Sequence, residues 1–348
     1  LYSDILNLSI AQKEYEQLYG VLSKHSQVLE VRTLLTKLLQ DENQKEQLLR
    51  KICTTENAMR YFDFLMQLSP KELTRVLIEG LPAKVNTLTD FLKDDFYALL
   101  PLYNFYFTRD PSVTIGNNLL ICNMANKVRA RESIIINAIF SNPQFFDATI
   151  IDSTQFVEDD KTTISIEGGD VLVVRDDIIL IGNGSRTNSQ AIDQLIANLC
   201  RGKEGRKHII VQQLPHSPES FIHLDMVFTM LDRDTAMVYK PLILDNTPYK
   251  TIHLEIENGE VAKISTPNNL LEALKPLGMD IKPIVCGGNA DDWDQEREQW
   301  HSGANFLAIA PGKVMSYARN VQTLNELSNN GFDVIPAWDV INDKYDVE

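Results

Sequence analysis

The sequence has few cysteines and no long apolar run, and both absences narrow its class. Four cysteines occur in 348 residues, at positions 53, 122, 200 and 286, with no Cys-x-x-Cys pair. This sparse spacing argues against a disulfide framework and a structural zinc site, and it favours a reducing cytoplasm. No stretch approaches about 18 uninterrupted apolar residues, and the start has no basic segment followed by an apolar one. The sequence therefore predicts neither a membrane span nor a signal peptide.

Basic residues are scarce relative to acidic ones. The chain has 33 lysines and arginines against 48 aspartates and glutamates, which gives a formal net charge of -15 at pH 7. A protein that binds nucleic acid needs clustered lysine and arginine, whereas the basic residues here are dispersed among acids. The composition therefore argues against nucleic acid as a partner. It is compatible with a cationic small substrate, although an acidic surface commonly serves solubility alone.

Residues 1–100 carry the signals of short helices. Three candidate N-caps each have an acceptor three residues further on: Asp41 with Gln44, Ser69 with Glu72, and Thr87 with Asp90. Proline follows the second of them at the first helical position. Leucine and isoleucine recur at helical spacing over 34–39 and 48–52, and 44% of the chain is apolar, which suffices for a sizeable core. We expect a helical bundle over 1–100, with a structural or lid-like role.

Residues 101–348 show a repeated order of short strands and helices. Four units of strand, strand, helix and strand are discernible, over about 105–151, 167–213, 223–286 and 305–335. The third unit contains an inserted pair of strands. Because such a unit cannot bury its own apolar face, the repetition predicts a radial or stacked α/β architecture in which the first strands meet near the centre.

A histidine and a carboxylate stand at the head of the third unit. His223 and Asp225 are two residues apart and precede an apolar segment, 227–231, which the sequence predicts to be a buried strand. Side chains alternate faces along a strand, so the two side chains should project the same way. A His-x-Asp pair taken alone is more often a turn or a surface pair than a catalytic one.

Two further units begin with acids in the same way. Asp110 ends a predicted aromatic strand over 105–110, and Glu167 and Asp170 flank a glycine pair directly before a predicted strand over 171–174. If the units surround an axis, these carboxylates meet His223 and Asp225 near the centre, although the residues are far apart in sequence. The repetition therefore favours an active site more strongly than the His-x-Asp pair does when it is taken alone.

Eight motifs of this sequence together resemble the arginine deiminase family. They lie at 104–111 (NFYFTRDP), 129–132 (RARE), 167–170 (EGGD), 185–187 (SRT), 223–229 (HLDMVFT), 286–288 (CGG), 298–300 (EQW) and 305–312 (NFLAIAPG). The match is collinear from about residue 1 to 338. The resemblance implies a five-fold pseudo-symmetric α/β propeller of strand-strand-helix-strand units, formed by 101–348, with the helical bundle of 1–100 as an insertion.

The resemblance also implies a substrate and a mechanism. The substrate would be free L-arginine, hydrolysed to citrulline and ammonia without a metal or an organic cofactor. Asp110 and Asp225 resemble the aspartates that hold the planar guanidinium cation. His223 resembles the proton shuttle, because an imidazole titrates near the working pH. Glu167 resembles the carboxylate that orients this histidine and contacts the guanidinium.

The other end of the substrate would meet arginines. Arg131 and Arg186 resemble the family's arginines that bind the α-carboxylate, and Asn104 and Asp170 complete the polar contacts. An alternative stays open for Arg131, which lies in a predicted helix among other charges, where arginines are commonly solvated.

The nucleophile is where the sequence departs from the family. Arginine deiminases use an activated cysteine, which forms a thiouronium adduct, in a glycine-rich motif at the extreme C-terminus. The 348 residues do not include that motif, and they lack the family's first strand, so both ends look trimmed. The resemblance therefore implies a nucleophilic cysteine beyond Glu348, the last residue of the sequence.

Cys286 is the alternative nucleophile within the sequence. It stands beside two glycines at the end of a predicted strand, where we expect an inert, buried cysteine. We therefore expect that the chain retains the groups for proton transfer and substrate binding but does not catalyse the reaction.

Alternatives of other classes stay open. A metal enzyme would use His223 and Asp225 as two ligands and His253 or His301 as a third. An inactive paralogue would bind arginine without chemistry. A related deiminase or amidinotransferase would act on another guanidine, such as agmatine, although two arginines favour a substrate with an α-carboxylate. A homo-oligomer is a further option that the sequence does not decide.

Overall fold

Two compact units make up the chain. In the computed structural model the described residues are 7–92, 96–157, 163–200, 205–289 and 291–345. The first unit comprises 1–15 and 26–155, and the second comprises 16–25 and 156–348. Among the described residues, none of the helices combines the length and the apolar character that a membrane crossing requires. The predicted boundary at residue 100 stays a prediction.

Capped helices dominate the start of the chain. They are α1 (Leu8–His25), α2 (Val31–Leu38), α3 (Glu42–Thr55), α4 (Phe62–Gln67), α5 (Pro70–Glu79) and α6 (Leu88–Phe91). The Asp41 side chain accepts from the backbone of Gln44, and Ser69 and Glu72 form a capping box at α5. Both predicted caps are thus confirmed, and each satisfies backbone donors that the first helical turn leaves free. The third falls on Asp90, whose side chain lies outside the described part of the chain.

A leucine-rich core holds the first unit together. Buried leucines of α2, α3 and α5, such as Leu35, Leu49 and Leu77, form one cluster with isoleucines such as Ile135. A short antiparallel pair, β1 (Leu81–Pro82) and β2 (Tyr97–Leu99), follows α5. The helical spacing of these apolar residues explains why each helix buries one face.

The first unit also contains the first complete strand-strand-helix-strand repeat. Its elements are β3 (Ser112–Ile115), β4 (Asn118–Ile121), the helix α7 (Ala130–Phe140) and β5 (Thr149–Asp152). The strands β3 and β4 are antiparallel across a turn at Gly116, whose φ of 58° suits glycine. The strand β5 returns parallel to β4, because a helical crossover brings the chain back in the same direction.

The second unit contains two more complete repeats. Their elements are β6 (Val171–Arg175), β7 (Ile178–Asn183), α8 (Ser189–Cys200), β8 (Arg206–Gln213), β9 (Phe228–Met230), β10 (Thr235–Val238), α9 (Lys240–Ile243), β11 (Thr251–Glu257), β12 (Glu260–Ser265), α10 (Leu270–Leu274) and β13 (Lys282–Val285). In each repeat the first two strands are antiparallel and the third is parallel to the second. The inserted hairpin of β11 and β12 extends the sheet of β8, in the order β12-β11-β8-β7-β6.

The last part of the chain is less regular than predicted. It contains α11 (Asp292–Trp300), β14 (Leu307–Ala310), β15 (Lys313–Met315), α12 (Val321–Asn329) and α13 (Ala337–Ile341). The antiparallel pair and the helix of the fourth repeat are present, but 332–335 is not a strand. The α/β fold class is confirmed, with three repeats complete and the fourth in part.

Beside the candidate site the strand predicted over 105–110 is wrong, whereas the strand predicted over 227–231 is confirmed as β9 but does not extend back to His223 and Asp225. Residues 105–110 form turns, with Phe107 N–H donating to Asn104 and Asp110 N–H donating to Phe107, and β3 begins only after Pro111. At the other position, Leu224–Met226 is a 3-10 turn, so Asp225 does not alternate with His223 along a strand. In both places the sequence is rich in strand-forming side chains, but strand propensity reflects pairing and packing, and turn hydrogen bonds prevail here.

Candidate active site

A histidine and a glutamate meet in the second unit. Glu167 precedes a 3-10 turn, Gly168–Asp170, that leads into β6, and His223 precedes the 3-10 turn that leads into β9. Their side chains meet with His223 Nε2 2.9 Å from Glu167 Oε2. Glu167 is fully buried and His223 is 4% exposed. A buried carboxylate is costly unless it is paired, so this contact fixes both side chains.

Two glycines provide space for the side chains of His223 and Asp170. A Cβ on Gly169 would lie 2.6 Å from Nδ1 of His223, and a Cβ on Gly182 would overlap Oδ1 of Asp170. Neither glycine has a positive φ, so close approach rather than backbone freedom requires glycine at both positions. Gly169, of the glycine pair before β6, thus provides the space that the His223 imidazole occupies.

Asp170 joins the two 3-10 turns. Its Oδ1 accepts the backbone N–H of Leu224 at 2.9 Å, and its Oδ2 accepts the hydroxyl of Thr187 at 2.6 Å. Burial raises the pKa of Asp170 to about 7, and the charge of His223 and these two hydrogen bonds act in the opposite direction. Both oxygens of Asp170 are therefore engaged inside the protein. This geometry supports a positioning role rather than the predicted substrate contact.

Thr187 is a residue whose role sequence reasoning missed. Its hydroxyl accepts the backbone N–H of Glu167 at 3.1 Å while it donates to Asp170. It follows directly after Arg186, which was the only residue of its motif with an expected role. The motif at 185–187 includes Thr187, but its place between two acids is visible only once the distant segments pack together, so the sequence indicated no role for it.

Arg186 and Asp225 lie near the His223–Glu167 pair and are more accessible to solvent than that pair is. Arg186 Nη1 is 3.7 Å from Glu167 Oε1, and the arginine side chain is 24% exposed. Asp225 is partly buried, and its carbonyl accepts from the Asn305 side chain at 3.1 Å. A cation and a carboxylate reachable from solvent beside a buried acid-base pair suit a small charged substrate.

The first unit contains a second cluster, around Arg129. Arg129 Nη1 donates to Asp110 Oδ2 at 2.7 Å, and its Nη2 donates to Glu132 at 2.7 Å and to the carbonyl of Asn104 at 3.4 Å. Burial opposes the charge of Arg129, but Glu132 and Asp110 outweigh it and raise the pKa of Arg129. Asn104 and Asp110, both predicted site residues, thus share one arginine.

The role predicted for Arg131 needs correction. Its side chain is 1% exposed, and Nε donates to Glu56 at 2.6 Å while the other nitrogens donate to the carbonyls of Leu77 and Leu100. Burial lowers its pKa, although Glu56 opposes this effect. Each guanidinium nitrogen thus has a partner within the first unit, and Arg131 joins helices. Of the two arginines in its motif, Arg129 is the one beside Asp110.

Cys286 is buried, as expected of an inert thiol. Burial raises its pKa to about 12, and a weak hydrogen bond from Thr323, at 3.7 Å from Sγ, acts in the opposite direction. A Cβ on Gly303 would lie 2.7 Å from the sulfur. The thiolate, which is the nucleophilic form, is therefore scarce at neutral pH.

The nucleophile expected beyond Glu348 has no counterpart among the described residues. Glu348 itself lies outside them, since the last described range is 291–345. The four cysteines of the sequence are all free and buried. The expectation of a cysteine beyond Glu348 therefore stays a prediction.

The contacts do not support the ligand set of the alternative metal enzyme. His253 Nε2 lies 3.0 Å from Nδ1 of His208, on paired strands, and His301 is exposed. Among the described residues, neither histidine joins His223 and Asp225 in a group of potential metal ligands.

The arrangement around His223 suits acid-base chemistry on a small charged substrate, and comparison with known proteins identifies the family. The family model described as arginine deiminase matches residues 1–337. The arginine deiminase of Bacillus cytotoxicus is 32% identical over 355 residues, which cover 96% of this chain and 85% of that protein. That of Staphylococcus haemolyticus is 30% identical over 352 residues, which cover 96% and 84%. The chain therefore belongs to the arginine deiminase family.

Solved structures of two other proteins show a more distant likeness. One is a DDAH from Pseudomonas aeruginosa complexed with citrulline, with 17% identity, a TM-score of 0.43, and coverage of 75% of this chain and 87% of that chain. Another is the N-terminal domain of ArgZ, an arginine dihydrolase from cyanobacteria, bound to product, with 17% identity, a TM-score of 0.42, and coverage of 68% and 70%.

Replacing Thr187 should test the buried network. Thr187→Val removes the hydroxyl and leaves the Glu167 N–H and an Asp170 oxygen without their partner, so we expect a loss of about 1 to 3 kcal/mol in the free energy of unfolding. Urea denaturation measures it. Thr187→Ser keeps the hydroxyl and should lose less, whereas equal stability of the valine and serine variants would contradict the network.

Alkylation should test the state of the cysteines. All four are buried, and the high pKa of Cys286 keeps its thiol protonated. We expect iodoacetamide at pH 7.5 to leave the native protein unmodified for minutes and to add four groups after denaturation in guanidinium chloride, as counted by intact mass. Rapid modification of Cys286 in the native protein, absent in Cys286→Ser, would show an activated thiol instead.

Proposed function

We propose that this chain acts on free L-arginine, in the hydrolysis of its guanidinium to citrulline and ammonia. The observation that carries the proposal is the buried contact of 2.9 Å between His223 and Glu167 in a member of the arginine deiminase family. A fixed imidazole beside a carboxylate can donate and accept a proton at one place, which this hydrolysis requires twice.

The guanidinium would be held by carboxylates. Asp225 is the proposed partner in the second unit, and the same role for Asp110, in the first unit, stays what the family resemblance implies. A guanidinium is planar and permanently charged, and two of its N–H groups can pair with one carboxylate. Arg129 holds Asp110 by an ion pair of 2.7 Å, which orients that carboxylate.

The chemistry proposed is covalent catalysis by a cysteine. The thiolate attacks the guanidinium carbon, a C–S bond forms, and the C–N bond breaks as His223 gives a proton to the departing ammonia. Water then attacks the thiouronium carbon while His223 takes a proton from it, and the C–S bond breaks to release citrulline and the thiolate. Glu167 holds the imidazole throughout.

None of the four cysteines among these residues fits the nucleophile. All four are buried, and Cys286 has a pKa raised to about 12. We therefore propose that the 348 residues alone bind arginine but do not turn it over, and that the nucleophilic cysteine belongs to the protein beyond Glu348. Buried free cysteines also agree with the proposed cytoplasmic location.

The α-carboxylate of arginine would be bound by Arg186, which is the partly exposed cation beside Glu167. Asn104 stays a proposed polar contact, and Arg129 replaces Arg131 as the arginine of its motif close to site residues. This arrangement favours arginine over agmatine, because agmatine has no carboxylate to pair with Arg186.

An arginine-binding protein without chemistry is the second candidate. The buried cysteines favour it, since the acid-base pair alone supplies no nucleophile. The complete gene product distinguishes the candidates: citrulline formation supports the deiminase, and arginine binding without citrulline supports the binding protein.

Arginine binding should depend on Asp225. We expect calorimetry to detect L-arginine binding to the 348-residue chain and to find it about 10 to 100 times weaker in Asp225→Asn, because a charge-assisted hydrogen bond is lost. The exposed Asp176 provides the matched control, Asp176→Asn, which should bind as wild type does.

Three further readouts complete that test. The wild-type chain should bind arginine more tightly than agmatine. Arg186→Gln should reduce this difference between the two affinities. No citrulline should form from arginine with the 348-residue chain. The proposal is wrong if arginine does not bind, or if the 348 residues produce citrulline at a normal enzymatic rate and Cys286→Ser stops it.

A further inference from the structure

A buried glutamine supports the segment that carries His223. Gln299, in the last turn of α11, is 1% exposed. Its Nε2 donates to the carbonyl of Ser220 at 2.5 Å and to that of Met226 at 3.4 Å. The two carbonyls stand on either side of His223 in the chain, so one amide group holds both ends of the segment 220–226 together.

The loop after α11 holds the same segment through Asp225. The Asn305 side chain is partly exposed, and its Nδ2 donates to the carbonyl of Asp225 at 3.1 Å. In the other direction, Thr229 of β9 donates its hydroxyl to the carbonyl of Ala304 at 2.8 Å. Residues 220–229 and 299–305, which both belong to the second unit, are thus joined by side-chain hydrogen bonds in both directions.

The 3-10 turn explains why these donors are needed. The last carbonyls of a helical turn have no partner within it, and a buried carbonyl without a donor is costly. In the turn Leu224–Met226 the carbonyls of Asp225 and Met226 come last, and Asn305 and Gln299 donate to them. Removal of either amide therefore takes a donor away from the turn.

Gln299 is itself held in place. The neighbouring Glu298 is 1% exposed, and its carboxylate accepts the backbone N–H groups of Gln322 and Thr323 at 2.8 and 2.7 Å. These donors lie in the first turn of α12, so α11 is anchored to α12 directly beside Gln299. A group fixed on a helix can position a site more accurately than one on a loop.

We propose that Gln299 and Asn305 are positioning residues, which fix the turn of His223 and Asp225 so that the Asp225 carboxylate can pair with a guanidinium. This inference rests on the proposed function. The turn is held at its first N–H by Asp170 and at its last carbonyls by the two amides. Such support matters because a displacement of about 1 Å in a site can cost about 100-fold. The motifs at 298–300 and 305–312 thereby gain a role.

Uncharged variants test the positioning. Gln299→Met and Asn305→Leu keep the approximate size of the side chain and remove the amide. The N–H groups of Met226 and Val227, which donate to carbonyls of the turn segment, should exchange with solvent about 10 times faster, as measured by nuclear magnetic resonance of the ¹⁵N-labelled chain. Calorimetry should find L-arginine binding about 10 times weaker at a temperature at which the variants are folded.

Two matched controls carry the same substitutions at amides that bond the backbone elsewhere in the second unit. Gln194 Nε2 donates to the carbonyl of Val157, and Asn198 Nδ2 donates to that of Gln194, each at 2.8 Å. Gln194→Met and Asn198→Leu should keep the arginine affinity and the exchange rates of the turn at their wild-type values, whatever their melting temperatures.

A merely structural role would give other results. The positioning role is wrong if Gln299→Met and Asn305→Leu lower the melting temperature but keep the exchange rates of the turn and the arginine affinity of the wild type. It is also wrong if the two controls reproduce the effects. Should Gln299→Met fail to fold by circular dichroism, Asn305→Leu decides on the same measurements. If the wild-type chain does not bind arginine, the proposed function fails, whereas the exchange rates still decide whether the amides hold the turn.

Discussion

The burial of Glu167 is the constraint on which the second unit's site depends. A carboxylate without exposed surface must find its partners inside the protein, and its partner here is the imidazole of His223 at 2.9 Å. Asp170 and Thr187 then hold the two 3-10 turns that present the pair, through one backbone N–H each. Preorganisation of this kind places a proton carrier where charge changes during the reaction.

The fold was predictable where the sequence pattern is local. Three repeats of strand, strand, helix and strand follow from short apolar segments separated by turns, and two caps follow from Asp41 and Ser69. The strand expected over 105–110 and the extended geometry expected for His223 and Asp225 were wrong, because turn hydrogen bonds there prevail over the strand propensity of the side chains, although the strand over 227–231 is present as β9. The prediction of the α/β class is correct despite these errors, because it rests on the repeated order of strands and helices rather than on any single strand.

The candidate site was predictable in its residue types and less so in their partners. The sequence motif marks both Arg129 and Arg131, but only the packing of α7 shows that Arg131 faces Glu56 and that Arg129 faces Asp110. The motif at 185–187 includes Thr187, but the sequence does not indicate its role, because that role depends on two acids that are remote in sequence. Contacts between distant segments are thus what the sequence could not supply.

The most direct measurement is the imidazole N–H of His223 in ¹⁵N-labelled protein by nuclear magnetic resonance. A buried Nε2–H that donates to Glu167 should give a downfield, slowly exchanging proton signal, absent in His223→Asn and shifted upfield in Glu167→Gln, because a neutral amide is a weaker acceptor than a carboxylate. If no such protected signal exists, or if Glu167→Gln leaves it unchanged, the acid-base pair at the centre of this account is contradicted.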